Sequence, residues 1–226
     1  MQKRKIAIDG PAVSGKSSAA RRLAAMLGYL YLDSGALYRT LTLAKLRGFN
    51  MKDDHLLGRL DLLDVRIVPD PDGRGCRVSL KGEDVTGIIR EQSVSNNILP
   101  VSGDPMVREW VTDYLRRAAH NADVVMDGRD IGSVVFPDAD FKFFITASLA
   151  ARTRRRLADL GECADGAGYG EIYSLLEKRD HGDRNRKVGP LVQTPDAILI
   201  DNSELSLGET VEAMLSHLST VHLARS

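Results

Sequence analysis

Eight residues near the N-terminus constrain the fold more than any other part of this 226-residue chain. They have the spacing G-x-x-x-x-G-K-[ST], and they lie between a short apolar run and an amphipathic helical pattern. The glycines let successive backbone N–H groups converge on a phosphate, and the N-terminus of the helix adds a partial positive charge. The spacing therefore predicts a strand, a phosphate-binding loop and a helix. The loop comprises Gly10, Pro11, Ala12, Val13, Ser14, Gly15, Lys16 and Ser17.

The last residues of this loop predict the cofactors. Lys16 carries a positive charge suited to the β- and γ-phosphates of ATP, and the Ser17 hydroxyl is placed to hold Mg²⁺. Ser18 follows them and completes the predicted ATP-binding set. A glycine-rich turn that arose by chance is the alternative, but the flanking strand and helix disfavour it.

Five short apolar runs alternate with helical patterns along the chain. Runs of this length and apolarity are typical of strands buried on both faces, and alternation with helices predicts a parallel sheet. We therefore expect an α/β fold of the P-loop kinase type, with a five-stranded parallel sheet flanked by helices. The predicted strands are residues 5–9, 29–32, 123–127, 141–145 and 197–201.

Two segments interrupt the alternation without separating the chain into further domains. In the first, residues 53–99, two β-rich runs at 65–68 and 76–80 flank a turn rich in Pro, Asp and Gly, which predicts a hairpin. The second, residues 151–189, is rich in arginine, has a glycine-containing stretch from 161 to 170, and is expected to form a helical lid. The remaining residues, 1–52, 100–150 and 190–226, form the predicted core of a single domain.

Composition excludes several other classes of protein. Thirty-one basic residues balance thirty-one acidic ones, so the chain lacks the basic excess of a protein that coats nucleic acid. The apolar run after Lys5 is too short for a signal-peptide core or a membrane span. Cys76 and Cys163 have no paired spacing and are expected to be free thiols. We expect a cytoplasmic monomer that has neither a nucleic-acid partner nor a membrane partner.

The kind of P-loop protein follows from what accompanies the loop. The Asn-Lys-x-Asp segment with which GTPases read guanine is missing from the sequence. A short chain with an arginine-rich flap favours a kinase for a small molecule, because a closing lid keeps water away from ATP.

Charged residues gather where predicted strands end. Arg39 lies about one turn into the helix after the second strand, and Asp127, Arg129 and Asp130 follow the third. Ligands of such sheets bind at this carboxyl edge. Isolated arginines and aspartates are ordinarily solvated surface charge, but several groups at strand ends beside a phosphate loop favour an acceptor site. Asp127 is also placed to hold Mg²⁺ through its water ligands.

Four motifs then give the chain a resemblance to a known family. The sequence from residue 6 to about 201 resembles bacterial cytidylate kinases, which are nucleoside monophosphate kinases. The motifs, besides the phosphate loop, are DSGALYR at 33–39, GEDVT at 82–86, DGRDIG at 127–132 and RDHGDRNR at 179–186. The hairpin at 65–80 is similar to the small inserted sheet of that family, which belongs to its monophosphate-binding insertion.

The resemblance implies an activity and a set of residue roles. The activity is transfer of the γ-phosphoryl group of ATP to CMP or dCMP. The residues implied to hold the acceptor phosphate are Arg39, Arg129 and Arg186. Those implied to bind the nucleoside are Arg108 and Asp130 at the cytosine, Arg179 and Asp183 at the ribose, and Ser34 in the pocket wall. The expected catalytic residues are Lys16, Asp127, Arg129, Arg186 and the lid arginines Arg155 and Arg156.

One residue departs from the family pattern, and three alternatives stay open. Leu99 stands where the family tends to place a serine near the base, with Asn96 and Asn97 close by. The nearest alternative function is a P-loop kinase for another small acceptor, such as UMP or shikimate. Others are a nucleic-acid-binding module that uses the arginines at 152–156, and an inactive nucleotide-binding regulator.

Overall fold

The computed structural model describes residues 3–51, 56–69, 75–163 and 168–224. A five-stranded parallel sheet with the strand order β2-β6-β1-β7-β8 forms its centre. The strands are β1 (Lys5–Asp9), β2 (Leu30–Asp33), β6 (Val124–Gly128), β7 (Phe141–Thr146) and β8 (Ile198–Asp201). The predicted fold class is confirmed, and the boundaries of the five strands differ from those predicted by at most one residue.

Helices cover both faces of the sheet. Helix α1 begins at Lys16 directly after the phosphate loop and ends before Gly28, whose left-handed conformation caps it. Its Ala20, Leu23 and Ala24 are fully buried against the sheet, as their spacing predicts. The other long core helices are α2 (Ser34–Leu46), α6 (Pro105–Ala118) and α9 (Leu207–Ala224). Strand β2 runs directly into α2, because the Asp33 side chain accepts the N–H of Ala36 and caps the helix.

The inserted segment contains a small antiparallel sheet of β3 (Val65–Pro69), β4 (Cys76–Leu80) and β5 (Glu83–Asp84). This confirms the pairing of the predicted hairpin, whose turn at 70–74 lies outside the described residues, as do residues 53–55. The rest of the segment is more helical than expected. Its short helices are α3 (Leu56–Asp61), a 3₁₀ turn (Ile88–Arg90), α4 (Gln92–Asn96) and α5 (Leu99–Ser102).

Packing explains that helical content. Val78, Val85 and Ile89 of the inserted segment share one buried hydrophobic cluster with Leu37 of α2 and Trp110 of α6. In these short helices and turns, the apolar residues that reach the cluster are irregularly spaced in the sequence. A search for the two-residue period of a strand or the 3.6-residue period of a helix therefore does not detect them. The inserted segment therefore shares its core with the main sheet.

The arginine-rich segment contains helices α7 (Leu149–Asp159) and α8 (Tyr169–Asn185), while residues 164–167 lie outside the described part. Arg152 of α7 and Asp180 of α8 form an ion pair of 2.7 Å between side chains that are 5% and 7% exposed. This buried pair joins the two helices. Across the described ranges, the structure contains no helix with the length and apolarity needed to cross a membrane.

Candidate active site

The carboxyl edge of the sheet opens into a cavity of about 330 Å³. The phosphate loop forms one side of this cavity. The start of α2, the short helices α4 and α5, the segment after β6 and helix α8 form the others. The sequence-predicted residues that line it are Ala12, Val13, Lys16, Ser17, Ser34, Arg39, Asp127, Arg129, Asp130, Arg156, Arg179, Asp183 and Arg186. Residues that the sequence places more than 150 positions apart therefore face one space.

The phosphate loop is fixed by backbone geometry and by side chains from outside the loop. A Cβ at Gly10, where φ is +154°, would collide with the carbonyl oxygen of Ile145. Arg152 donates to the carbonyl oxygen of Ala12 at 3.1 Å, and the Asn202 amide donates to that of Ser14 at 2.8 Å. These hydrogen bonds hold the outward carbonyl groups and so stabilise the shape of the loop.

Val13 lies in this loop with a φ of +59°. A β-branched residue is rarely found in the left-handed region, because its Cβ substituents crowd the backbone there. Strained backbone of this kind persists where the surrounding structure fixes it, and it is concentrated at functional sites. The conformation at Val13 belongs to the loop and is independent of the local preference of valine.

Lys16 points into the cavity and is only 6% exposed. Its ammonium group donates to the Pro11 carbonyl oxygen at 3.1 Å. Burial, followed by repulsion from the nearby Arg129 guanidinium, lowers the pKa of Lys16 to about 7. A phosphate in the loop would oppose both effects and raise the pKa of Lys16, which would favour the charged form of the lysine.

Ser17 and Asp127 provide a position suited to a divalent cation. The Ser17 hydroxyl donates to one oxygen of the Asp127 carboxylate at 2.6 Å, which leaves the lone pairs of the serine oxygen unused. Burial and the neighbouring Asp33 carboxylate raise the pKa of Asp127. A nearby cation would favour its charged form. This donor set fits Mg²⁺.

The acceptor side of the cavity is a cluster of paired guanidinium groups. Arg39 binds Asp33 at 2.7 Å, and Arg129 binds Asp183 at the same distance. Burial acts to raise the pKa of Asp33, but Arg39 and Arg90 outweigh that effect and hold the pKa below its usual value. These two aspartates hold the guanidinium groups of Arg39 and Arg129 at the acceptor side of the cavity.

Arg179 differs from these arginines. Within the described ranges, no carboxylate lies within ion-pair distance of its guanidinium group, and its Nε is buried without a hydrogen-bond acceptor. Burial, followed by repulsion from Arg129, lowers the pKa of Arg179 to about 10. The cluster thus has an excess of positive charge directed at the cavity, which an anionic group would neutralise.

A second polar arrangement lies at the far end of the cavity. Arg108 pairs with Asp130 and donates to the carbonyl oxygen of Ser102 at 3.0 Å. Its guanidinium also lies over the Tyr38 ring, 5.4 Å from the centroid. Gly189 approaches this pair so closely that a Cβ there would collide with both side chains, and its φ of +56° also favours glycine. Arg108 is buried behind Asp130 and does not line the cavity, contrary to its simplest expected placement.

Arg186 links the two arrangements. Its guanidinium lies 3.3 Å from Asp130 and 3.7 Å from Asp183, so it contacts one carboxylate at each end of the acceptor side. Ser34 donates its hydroxyl proton to the Asp127 carbonyl oxygen at 2.8 Å, which fixes the start of α2 against β6.

The two lid arginines point in different directions. Arg156 donates to the Gln92 side chain and lines the main cavity. Arg155 donates to the backbone oxygen of Asn202 at 2.5 Å and lines a second cavity beside the outer face of the phosphate loop, together with Ser18. The structure therefore brings Arg156, but not Arg155, to the acceptor side.

Leu99 lines the acceptor cavity. Its methyl groups lie 3.4 Å from the position that a Cβ on Gly182 would occupy. The residue that departs from the family pattern is thus an apolar contact between α5 and α8. Asn96, the nearby polar candidate, also lines the cavity, whereas Asn97 is exposed and binds the Ser93 carbonyl oxygen.

Sequence reasoning did not assign several supporting residues. Asn202 directly follows β8, so the strand-end rule that identified Asp127 could have identified it too. Asp9 ends β1 and accepts the N–H groups of Ile131 and Gly132 at 2.8 and 2.7 Å, which fixes the segment after Asp130. No local signal marks Tyr31, whose hydroxyl donates to Asp127.

The fold and the cavity define a P-loop kinase in which a nucleotide-binding loop faces an arginine-rich acceptor pocket. The family model described as Cytidylate kinase matches residues 6–220. A cytidylate kinase of Caldanaerobacter subterraneus is 45% identical over 92% of this chain and 91% of the relative. That of Symbiobacterium thermophilum is 46% identical over 94% of each. The chain belongs to the cytidylate kinase family.

Solved structures support the fold alone. An uncharacterized protein from Eubacterium ventriosum aligns with a TM-score of 0.51 over 97% of this chain and 99% of the other, at 10% identity. Such a low identity provides no information about the substrate.

Proposed function

We propose that the protein transfers the γ-phosphoryl group of ATP to CMP or dCMP, giving ADP and CDP or dCDP. The observation that carries this proposal is the single cavity with the phosphate loop on one side and the paired arginines on the other. The donor and acceptor phosphates are both anionic, and a charge-neutralising pocket is what their close approach requires. The family membership supports cytidine nucleotides as acceptors.

In this mechanism the protein contributes positioning and charge. Lys16 neutralises the β- and γ-phosphates of ATP, while Arg39, Arg129 and Arg186 hold the acceptor phosphate opposite them. The attacking atom is an oxygen of the acceptor phosphate and is already anionic, so no general base is needed. When bound, Mg²⁺ supplies further charge neutralisation at the phosphates. Ser17 would hold it directly and Asp127 through water.

The remaining roles are assigned from position. Arg108 and Asp130 read the base, Arg179 and Asp183 contact the ribose, and Ser34 lines the acceptor pocket. Arg156 is already at the cavity, whereas Arg155 must leave Asn202 to reach the transferring group. Closure of α7 and α8 over both nucleotides would provide that change and would exclude water.

The test is an acceptor panel with ATP and Mg²⁺ that measures ADP formation with CMP, dCMP, UMP and AMP. We expect high catalytic efficiency with CMP or dCMP and at least tenfold lower efficiency with UMP and AMP. Preference for UMP would support the alternative acceptor, and no turnover with any monophosphate would overturn the proposal. A cytoplasmic monomer stays a prediction, for which sedimentation of the purified chain measures the oligomeric state.

A further inference from the structure

The carboxylate of Asp127 accepts hydrogen bonds on both of its oxygens. The Ser17 hydroxyl donates to one oxygen at 2.6 Å, and the Tyr31 hydroxyl donates to the other at 2.7 Å. Ser17 belongs to the predicted metal-binding set, whereas Tyr31 has no role in the mechanism above. The second hydrogen bond therefore needs its own explanation.

Tyr31 lies in the core. Its ring is 4% exposed and belongs to the hydrophobic cluster that includes Ile8, Leu23 and Val125. A phenylalanine ring would fill the same space, so packing does not account for the hydroxyl group. A buried hydroxyl is unfavourable without a hydrogen-bond partner, and here the partner is Asp127.

Strand register explains how the two residues meet. Strands β2 and β6 are parallel neighbours, with Tyr31 opposite Val125 and Asp33 opposite Asp127. Residues two apart on a strand lie on the same face, so Tyr31 and Asp127 share the face that α1 covers. The tyrosine hydroxyl reaches the carboxylate from inside the core, while Ser17 approaches from the phosphate loop.

We propose that Tyr31 is a positioning residue that holds the Asp127 carboxylate in the orientation needed to bind the hydrated divalent cation of the nucleotide complex. This proposal rests on the proposed function. A carboxylate has about four lone-pair sites, so two hydrogen bonds leave Asp127, which lines the cavity, with about two further sites for the water ligands of the cation. Without the Tyr31 bond the carboxylate can rotate, because Ser17 alone restrains only one oxygen. Residues that orient a metal ligand typically change metal affinity by about 10- to 100-fold when they are replaced.

The test is Tyr31→Phe, which removes the hydroxyl and keeps the ring. Mn²⁺ serves as the probe, and electron paramagnetic resonance measures free Mn²⁺ with the protein and ADP present and no acceptor, so that turnover does not contribute. We expect Mn²⁺ affinity of the protein–ADP complex to fall by about 10-fold. ADP affinity in EDTA should stay within about twofold of the original value, since the tyrosine does not contact the nucleotide.

Two further variants separate positioning from a general structural effect. Tyr29→Phe changes a half-buried tyrosine two residues away, whose ring packs against the same hydrophobic cluster, and should leave Mn²⁺ affinity unchanged. In an Asp127→Asn background, Tyr31→Phe should cause no additional loss, because its effect is transmitted through the carboxylate.

Unchanged Mn²⁺ affinity in a folded Tyr31→Phe protein would overturn the inference, as would an equal loss in the Asp127→Asn background. If Tyr31→Phe does not fold, the same measurement on Tyr31→Leu and Tyr31→Met decides, and affinity that survives loss of the hydroxyl contradicts the proposal. The acceptor panel on the unaltered protein tests the proposed function separately, so the two failures are distinguishable.

Discussion

Arg108 and Asp130 form a hydrogen-bonded ion pair whose side chains are only 2% and 5% exposed. Arg186 lies 3.3 Å from the same carboxylate. Two guanidinium groups therefore contact one buried carboxylate at the far end of the acceptor cavity. A charged carboxylate accepts hydrogen bonds only, so it favours a base that presents an amine, as cytosine does, over one that presents a carbonyl oxygen, as uracil does.

The first prediction tests this discrimination with Asp130→Asn. A base-edge contact contributes roughly 1–3 kcal/mol, and each tenfold corresponds to about 1.4 kcal/mol. We expect kcat/KM for CMP to fall by about 10- to 100-fold. The value for UMP should stay unchanged or rise, because the amide can donate to the uracil carbonyl oxygen.

The ratio of the two efficiencies is the decisive measurement. Asp130→Asn also removes a charge between two buried arginines, which destabilises the fold and can lower both activities together. Thermal unfolding of the variant measures this loss of stability, so that its effect on both activities can be separated from the effect on base recognition. If CMP and UMP efficiencies fall by the same factor, Asp130 is structural and another residue reads the base.

The second prediction concerns Lys16→Ala. The lysine faces the cavity, and among the residues that the structure describes its ammonium group donates only to the Pro11 carbonyl oxygen, so its loss should leave the fold intact. Removing a well-placed group that stabilises the transition state lowers kcat by on the order of 100- to 1000-fold. Lys45→Ala, an exposed lysine on α2, is the matched control and should keep full activity. More than about a tenth of the original activity in Lys16→Ala would contradict the role assigned to the loop.

The third prediction follows from the left-handed backbone of Val13. An L-residue with this conformation costs about 1–2 kcal/mol, whereas glycine adopts it freely. Replacing Val13 by glycine would relieve this strain, but part of the gain in stability is lost because glycine makes the unfolded chain more flexible. We expect Val13→Gly to raise the free energy of unfolding by about 1 kcal/mol in urea denaturation. Val13→Ala keeps a Cβ and should gain less; a gain as large as that of glycine would show that side-chain branching alone causes the strain.

The fourth prediction is a pH dependence that originates at Asp9. Burial is the largest cause that raises the pKa of Asp9 to about 7, and Asp130 acts in the same direction, whereas the two backbone hydrogen bonds and Lys16 oppose the shift. In the unfolded chain an aspartate titrates near pH 4. Between about pH 4 and pH 7 the folded protein therefore binds more protons than the unfolded chain. The contribution of Asp9 to stability is present at low pH and is lost as the pH rises through that window.

Asp9→Asn removes this titration. Relative to the variant, the original protein should lose up to about 4 kcal/mol of unfolding free energy between pH 4 and pH 7.5. Each unit of the pKa difference between the folded and unfolded states contributes about 1.4 kcal/mol. Denaturant unfolding at several pH values measures it. Asp113→Asn, at an exposed position on α6, controls for the change in net charge. A difference that does not depend on pH would place the pKa of Asp9 near its usual value.

The local sequence determined the main elements of this protein. The spacing of the phosphate loop, the apolar strands and the amphipathic α1 are short-range patterns, and the structure has them where the sequence predicts them. Residues at strand ends, such as Asp127 and Arg129, could also be assigned to one edge, because parallel strands all end on the same side.

Only the tertiary structure decided which charges meet. Arg129 pairs with Asp183, 54 residues away, and Tyr31 binds Asp127, 96 residues away. Periodicity reports which face of an element is buried, but it contains no information on which distant side chain that face contacts. The left-handed Val13 is a similar case, since contacts around the loop override the preference of the residue. The sequence thus determined the elements and their chemistry, and packing decided the partners, because hydrogen bonds between distant residues depend on how the elements are assembled.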